Sequence, residues 1–317
     1  MKKSLLALSL LAMSASAHCD VCAIASVEEY ECVLSDVVCQ IFYDNDKYGI
    51  KDKEGNVVVP AIYDDINHAY DVDYDRVPYL AIKSENNRYG LMNDKGKVVL
   101  APDYDELRFT KNNLVIVEKH GMYGVMDLAG KVVLPISYHE ISVNDAGVAV
   151  AQTRSYTVFD PQGKSIATYP VAHTLDNGAV SFCQADHQDG TGCGVMNEAG
   201  KVVIPPKYRY VQAMSNYSGE DDVSALVKVV SKQNKVALFD VNTGKALTPF
   251  IYDDMDYEVR EGMVGIEVEG KYGFIDKTGK QVIAPTYDYV SYFDVGLVKV
   301  EKDGERFYID KTGKRVP

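Results

Sequence analysis

One segment recurs along this chain, and that recurrence limits the fold more than any single residue does. The segment runs in full from Lys271 to Asp288; it appears seven times, and an eighth copy begins at Asp303. Aligned on one glycine, the copies place Gly55, Gly96, Gly130, Gly163, Gly200, Gly244, Gly279 and Gly313 in register. The spacings are 41, 34, 33, 37, 44, 35 and 34 residues, so insertions fall in loops while the core of each unit keeps its internal register. Eight residues after the glycine stands Tyr63, Tyr104, Tyr138, Tyr208, Tyr252 or Tyr287, and Val171 takes that place in the fourth copy. Seven residues before it stands Tyr48, Tyr89, Tyr123, Tyr156 or Tyr272, with Cys193 in the fifth copy. Repeats of this period build arrays in which each unit buries its apolar face only against its neighbours.

Each unit reads as three antiparallel strands. Tyr272-Gly273-Phe274-Ile275-Asp276 is a strand, Lys277-Thr278-Gly279-Lys280 a turn, and Val282-Ile283 lies in a second strand. Asp276 can bond the amides of its own turn, and Gly279 supplies a positive φ. Val, Ile and Tyr suit a half-buried pleated surface. Pro60, Pro102, Pro135, Pro205, Pro249 and Pro285 end the second strand, because proline cannot donate to a ladder. A Tyr-Asp-rich connection and a third strand such as Gly296–Val300 or Asn113–Val117 follow. The expectation is an all-β chain of tandem three-stranded units in an open superhelix or solenoid, seven full and one partial, with a closed β-propeller as the alternative. The tyrosine eight residues after the glycine is expected to pack as a wedge between units. Lys314, Arg315 and Pro317 would blunt an exposed final edge.

The segments Gly270 to Asp288, Lys47 to Asp64, Tyr89 to Asp105 and Met122 to Tyr138 resemble the WG-repeat (KWG) family, and Tyr156 to Val171 and Val236 to Tyr252 resemble it more faintly. Tyr48, Tyr89, Tyr123 and Tyr272 stand where the family has tryptophan, a residue this chain lacks. The resemblance implies a β-rich repeat protein, often bacterial and often exported. It brings no catalytic residues with it.

The amino terminus points the same way. Lys2 and Lys3 precede an apolar run, Leu5 to Ala12, and Ala15-Ser16-Ala17 fits a small-x-small cleavage site. Residues 1–17 read as a signal peptide, 18–40 as a cysteine-rich cap and 41–317 as the repeat domain. The apolar run is too short to span a bilayer, and His18 before Cys19 does not fit a lipid-anchor box. A periplasmic protein is expected, with secretion as the alternative. Six cysteines in an oxidising compartment suggest three disulfides. Cys183 and Cys193 flank a hairpin loop, Gln184 to Gly192, and are expected to bond. Cys19, Cys22, Cys32 and Cys39 allow three pairings that the sequence does not separate; they would staple a cap over the first unit, in which Val27 to Val38 could form a short helix.

Net charge is −13, and −15 once Lys2 and Lys3 leave. No basic stripe exists for nucleic acid or an anionic membrane surface. Other motifs fall short of chemistry. Cys19-Asp20-Val21-Cys22 lacks a βαβ context for redox work, and with His18 it makes only a weak metal motif. Asp71-x-Asp73-x-Asp75 has calcium-loop spacing but Arg76 where the glycine belongs, and no distal glutamate. Asp253-Asp254-x-Asp256 and Glu220-Asp221-Asp222 read as solvated acidic runs. No enzyme activity, cofactor or metal is expected. The expected function is a non-catalytic scaffold of the cell envelope that binds a partner protein, one with a basic patch. The candidate contact residues lie in the variable acidic loops: Asp71, Asp73, Asp75, Glu220, Asp221 and Asp222. Binding of cell-wall or extracellular polysaccharide by exposed tyrosines is the alternative, and a glycan-active enzyme a third reading.

Overall fold

The computed structural model describes residues 30–34, 37–71, 74–93, 95–175, 177–184, 192–216 and 222–316, with side chains from Gln40 onward. All secondary structure among them is β. Eight four-stranded antiparallel sheets follow one another along the chain, each an up-and-down meander. Sheet 7 shows the plan, with strands Asp254–Met255, Met263–Val268, Lys271–Asp276 and Gln281–Tyr287.

The units thus have four strands where the sequence suggests three. The extra one is the first, and it is the Tyr-Asp-rich connection itself. Examples are Asp65–Tyr70, Glu106–Phe109 and Tyr289–Val290. These strands are short and polar, so they carry little period-2 signal. The eighth unit is complete, ending in Glu305–Asp310 and Arg315–Val316. The first sheet begins at Tyr30–Leu34, paired with Val37–Asp44. This replaces the expected helix over Val27 to Val38 and carries the array into the segment assigned to a cap. Valines 33, 37 and 38 favour a strand there.

Three local devices repeat. The first is the turn between strands three and four. Asp276 Oδ1 accepts the amides of Thr278 at 2.9 Å and Lys280 at 3.1 Å. Asp52, Asp127, Asp160 and Asp310 make the same pair of bonds in their own units. The second device is the motif glycine. A register shift brings the fourth strand so close that a Cβ on Gly273 would stand 2.5 Å from the Ile283 carbonyl oxygen and 2.6 Å from the Pro285 nitrogen. Gly49, Gly90 and Gly194 meet the same obstruction from their own fourth strands. In sheet 8 the fourth strand is only Arg315–Val316, and Phe307 occupies the glycine's place.

The third device is the Tyr-Asp pair. Seven apolar clusters fill the seven junctions between successive sheets. Tyr63, Tyr104, Tyr138, Tyr169, Tyr208, Tyr252 and Tyr287 each serve a different one. The fourth unit therefore has its tyrosine after all. Its fourth strand, Ser165–Tyr169, is shorter, and Tyr169 pairs with Tyr156 as Tyr287 pairs with Tyr272. The aspartate that follows latches the units. Asp288 accepts Lys271 from sheet 7 and the Asp303 amide, 2.8 Å away, from sheet 8. Asp105 does the same with Arg88 and the His120 amide, and Asp253 with Lys235 and the Glu269 amide.

The array is open. Eight units in a ring would have eight junctions, but no core cluster among the described residues joins sheet 8 to sheet 1. The turn glycines give the same answer. Gly130 and Gly279 sit against the fourth strand of the preceding unit, with a hypothetical Cβ 2.9 Å from the Val99 oxygen and 2.6 Å from the Leu247 oxygen. Gly55, in the first unit, has nothing within 4 Å of that position. Both end faces also carry polar residues at some positions that are apolar in interior units. By register, Phe274 of sheet 7 becomes Tyr308 in sheet 8, and Gly265 becomes Lys299. At the other end, Ile275 and Val264 correspond to Lys51 and Gln40, and Lys51 covers the Phe42 ring at 4.5 Å.

Candidate functional site

Of the residues proposed from sequence, Asp71, Asp75 and Asp222 lie in loops between the first and second strands of their sheets. Asp71 and Asp75 close the loop between the first and second strands of sheet 2, where the Asp75 amide donates to Asp71 Oδ1 at 2.9 Å. Asp222 lies in the corresponding loop of sheet 6 and accepts the Ser224 hydroxyl at 2.8 Å, which lowers its pKa. Three sheets stand between the two loops along the chain. Asp73, Glu220 and Asp221 lie outside the described residues, as do Cys19 and Cys22. Cys183 and Cys193 face each other across their strands and form the expected disulfide. Cys32 stands opposite Cys39 in the first hairpin, with side chains outside the described residues.

The residues the sequence reading dismissed make the better-formed site. A cleft of about 200 Å³ opens between sheets 7 and 8. Asp254, Asp256, Glu267 and Tyr272 line it from sheet 7, and Tyr289 and Tyr292 from sheet 8. Asp254 is not simply solvated: Lys228 holds it at 2.6 Å. Asp256 is half-buried and lies over Gly265, in the space a Cβ there would take. Burial, then the neighbouring Asp254, pushes the Asp256 carboxyl above the ordinary carboxylate range. Glu267 beside it raises the Tyr272 hydroxyl, and Asp256 raises that of Tyr292. Arg260 stacks on Tyr292 at 4.4 Å and pairs with Glu258 at 3.0 Å. The adjoining loops are tied together, since Ser215–Asn216 of unit 6 pairs in parallel with Glu258–Val259 of unit 7.

This arrangement offers negative charge and aromatic faces in a small hollow. Such a surface attracts cations through carboxylates and ring quadrupoles together. Among the described residues no group of three His, Cys, Asp or Glu side chains is placed to hold a metal ion, and no helix is long and apolar enough to cross a membrane.

Comparison with known families agrees with the repeat geometry. The sequence profile described as "WG containing repeat" matches residues 48–71, 89–123, 123–155, 194–217, 242–272 and 272–305, more than half of the chain. The chain belongs to the WG containing repeat family. Each WG match spans parts of neighbouring sheets, because the profile begins near the motif aromatic and the sheets begin at the Tyr-Asp segment. Among curated proteins none matches significantly. Solved structures similar to this WG-repeat chain include the computationally designed Ika8 protein, at 14% identity, covering 90% of this chain and 98% of that one with a TM-score of 0.32. A eukaryotic initiation factor is 12% identical over 89% and 84% of the two chains with a TM-score of 0.40. BamB from Moraxella catarrhalis is 12% identical over 91% and 92% with a TM-score of 0.32. Superpositions this loose carry no argument about function.

Proposed function

We propose that this chain is an exported, non-catalytic scaffold of the bacterial cell envelope, periplasmic, that holds a partner protein on its repeat surface. Membership of the WG containing repeat family supports protein binding as the general role. The observation that carries the reading is the division of labour within each unit. The recurring tyrosines, glycines and turn aspartates are committed to junctions and turns, and the residues that vary between units remain at the surface. Variable surface on a constant frame is how repeat arrays recognise partners. The acidic balance suits a partner with a basic patch.

The polysaccharide alternative loses its row of aromatic platforms at the tyrosines that follow each turn glycine, since those sit in junctions. What still favours it is the exposure of Tyr257, Tyr289 and Tyr292 near one cleft. A half-buried carboxyl beside a second one also touches the enzyme reading, but Lys228 already pairs with Asp254.

Cross-linking capture in envelope fractions tests the proposal. The mature protein should begin at His18 and yield a Cys183–Cys193 peptide without reduction. Capture should weaken with salt and with neutralisation of Asp71, Asp73, Asp75, Glu220, Asp221 and Asp222 at unchanged thermal stability. Recovery of uncleaved protein with free thiols refutes export, and capture indifferent to salt and to the six changes refutes the acidic face.

A further inference from the structure

The repeats themselves indicate what the cleft between sheets 7 and 8 receives. The strand registers make Tyr272 equivalent to Tyr89 in sheet 2 and Tyr123 in sheet 3. In both sister units the ring carries a cation from the same sheet. Lys83 Nζ lies 5.1 Å from the Tyr89 centroid, and the Arg108 guanidinium 5.2 Å from that of Tyr123. Those two cations come from two positions. Lys83 stands opposite Tyr89 on the second strand, and Arg108 lies on the first strand opposite Ile116. In sheet 7 the first position is Glu267, and the second is Asp256, whose amide bonds the Gly265 carbonyl at 2.9 Å. Both positions carry carboxylates here while the tyrosine is kept: Glu267 stands where sheet 3 has Glu118 and sheet 2 has Lys83, and Asp256 stands where sheet 3 has its cation Arg108. Ile116 has also become Gly265, which opens the room that the Asp256 carboxyl uses. Lys228, which neighbours Asp256, is engaged by Asp254 and by the Met255 carbonyl.

We infer that this cleft binds one lysine or arginine side chain of a protein partner, laid on the Tyr272 ring and held by Asp256 and Glu267. The inference rests on the protein-binding reading and supplies its chemistry. A guest cation restores the contact that Lys83 and Arg108 make in their own units, and it compensates a carboxyl that burial and Asp254 otherwise penalise. The hollow of about 200 Å³ has room for one such side chain. The neighbouring Arg260 is held by Glu258 and Tyr292 on the far wall.

The test is NMR titration of the full mature protein with the tripeptide Ac-Gly-Arg-Gly-amide, its lysine counterpart and its citrulline isostere, observing the tyrosine rings. Saturable shifts are expected for the two cationic peptides and none for citrulline. The double variant Asp256→Asn, Glu267→Gln should weaken binding at least tenfold without lowering the melting temperature, and Gly265→Ala should weaken it too by displacing the carboxyl. Equal binding of citrulline, cationic binding unaffected by the double variant, or saturation by a neutral oligosaccharide overturns the inference. Spermidine binding tighter than either peptide overturns the assignment to a protein side chain. Partner capture that persists in the double variant, with no peptide shifts in wild type, overturns the cleft alone and supports protein binding elsewhere on the array. Peptide shifts in a protein that cross-links to no partner overturn the protein-binding reading instead.

Discussion

Tyr287→Ala should release the last sheet and leave the rest of the array intact. Tyr287 is 9% exposed and packs in the junction of sheets 7 and 8 with Phe293, Val298, Val300 and Ile309. Its ring meets Phe307 edge-on, with centroids 6.3 Å apart. Truncating a buried aromatic costs about 3–5 kcal/mol. In an open array that loss falls on one junction, and sheet 8 has no second junction to fall back on. Sheet 8 should then open locally, a sub-global event visible in native-state hydrogen exchange. At 1.4 kcal/mol per factor of ten, its amides should exchange roughly a hundred- to several-thousand-fold faster. Amides of sheets 1 to 5 should keep their wild-type rates. Equal acceleration in all eight sheets would refute the open architecture, since only a closed or fully cooperative array shares the loss. No acceleration anywhere would refute the wedge role of the tyrosine.

Gly273→Ala should cost about 3 kcal/mol in urea unfolding at constant m-value, because its Cβ would meet backbone atoms of the adjoining strand rather than a side chain that can turn aside; a cost below about 0.5 kcal/mol would mean the crossing is not as tight as described. Asp256→Asn should raise the melting temperature near pH 7. The folded protein holds the Asp256 carboxyl above its ordinary range, so its contribution is most favourable below the unfolded value and is lost as pH rises through the folded one. The gap between wild type and variant should close as pH falls below the ordinary carboxylate range, and a gap that widens there would reverse the sign of the argument.

What the sequence made legible was local. The turn aspartate and glycine act within five residues, so their chemistry can be read directly, and the structure forms those bonds. The tyrosines could be read because a wedge needed at every junction must recur. The first strand of each sheet escaped because Asp254–Met255 or Tyr289–Val290 is too short and polar to show a period. Tyr169 was missed because a shortened strand moved it two places nearer its glycine. The cleft was not legible at all. Asp256 looks like its neighbours in an acidic run, and only strand register shows that it replaces Arg108 over an equivalent tyrosine. No pattern along one strand encodes a comparison between two sheets.

The polar end faces bear on how such a chain changes length over generations. A ring admits only the number of blades that its angular step divides, so gaining or losing one blade strains every other. Here the outermost described sheets place Lys51 over Phe42 on one outer face and Tyr308 and Lys299 on the other. An in-frame duplication or deletion of an interior unit would leave both ends as they are and recreate junctions of a kind already present. Reach can therefore be adjusted one unit at a time, and a contact such as the sheet 7 cleft can be carried nearer to or farther from the amino terminus without being rebuilt.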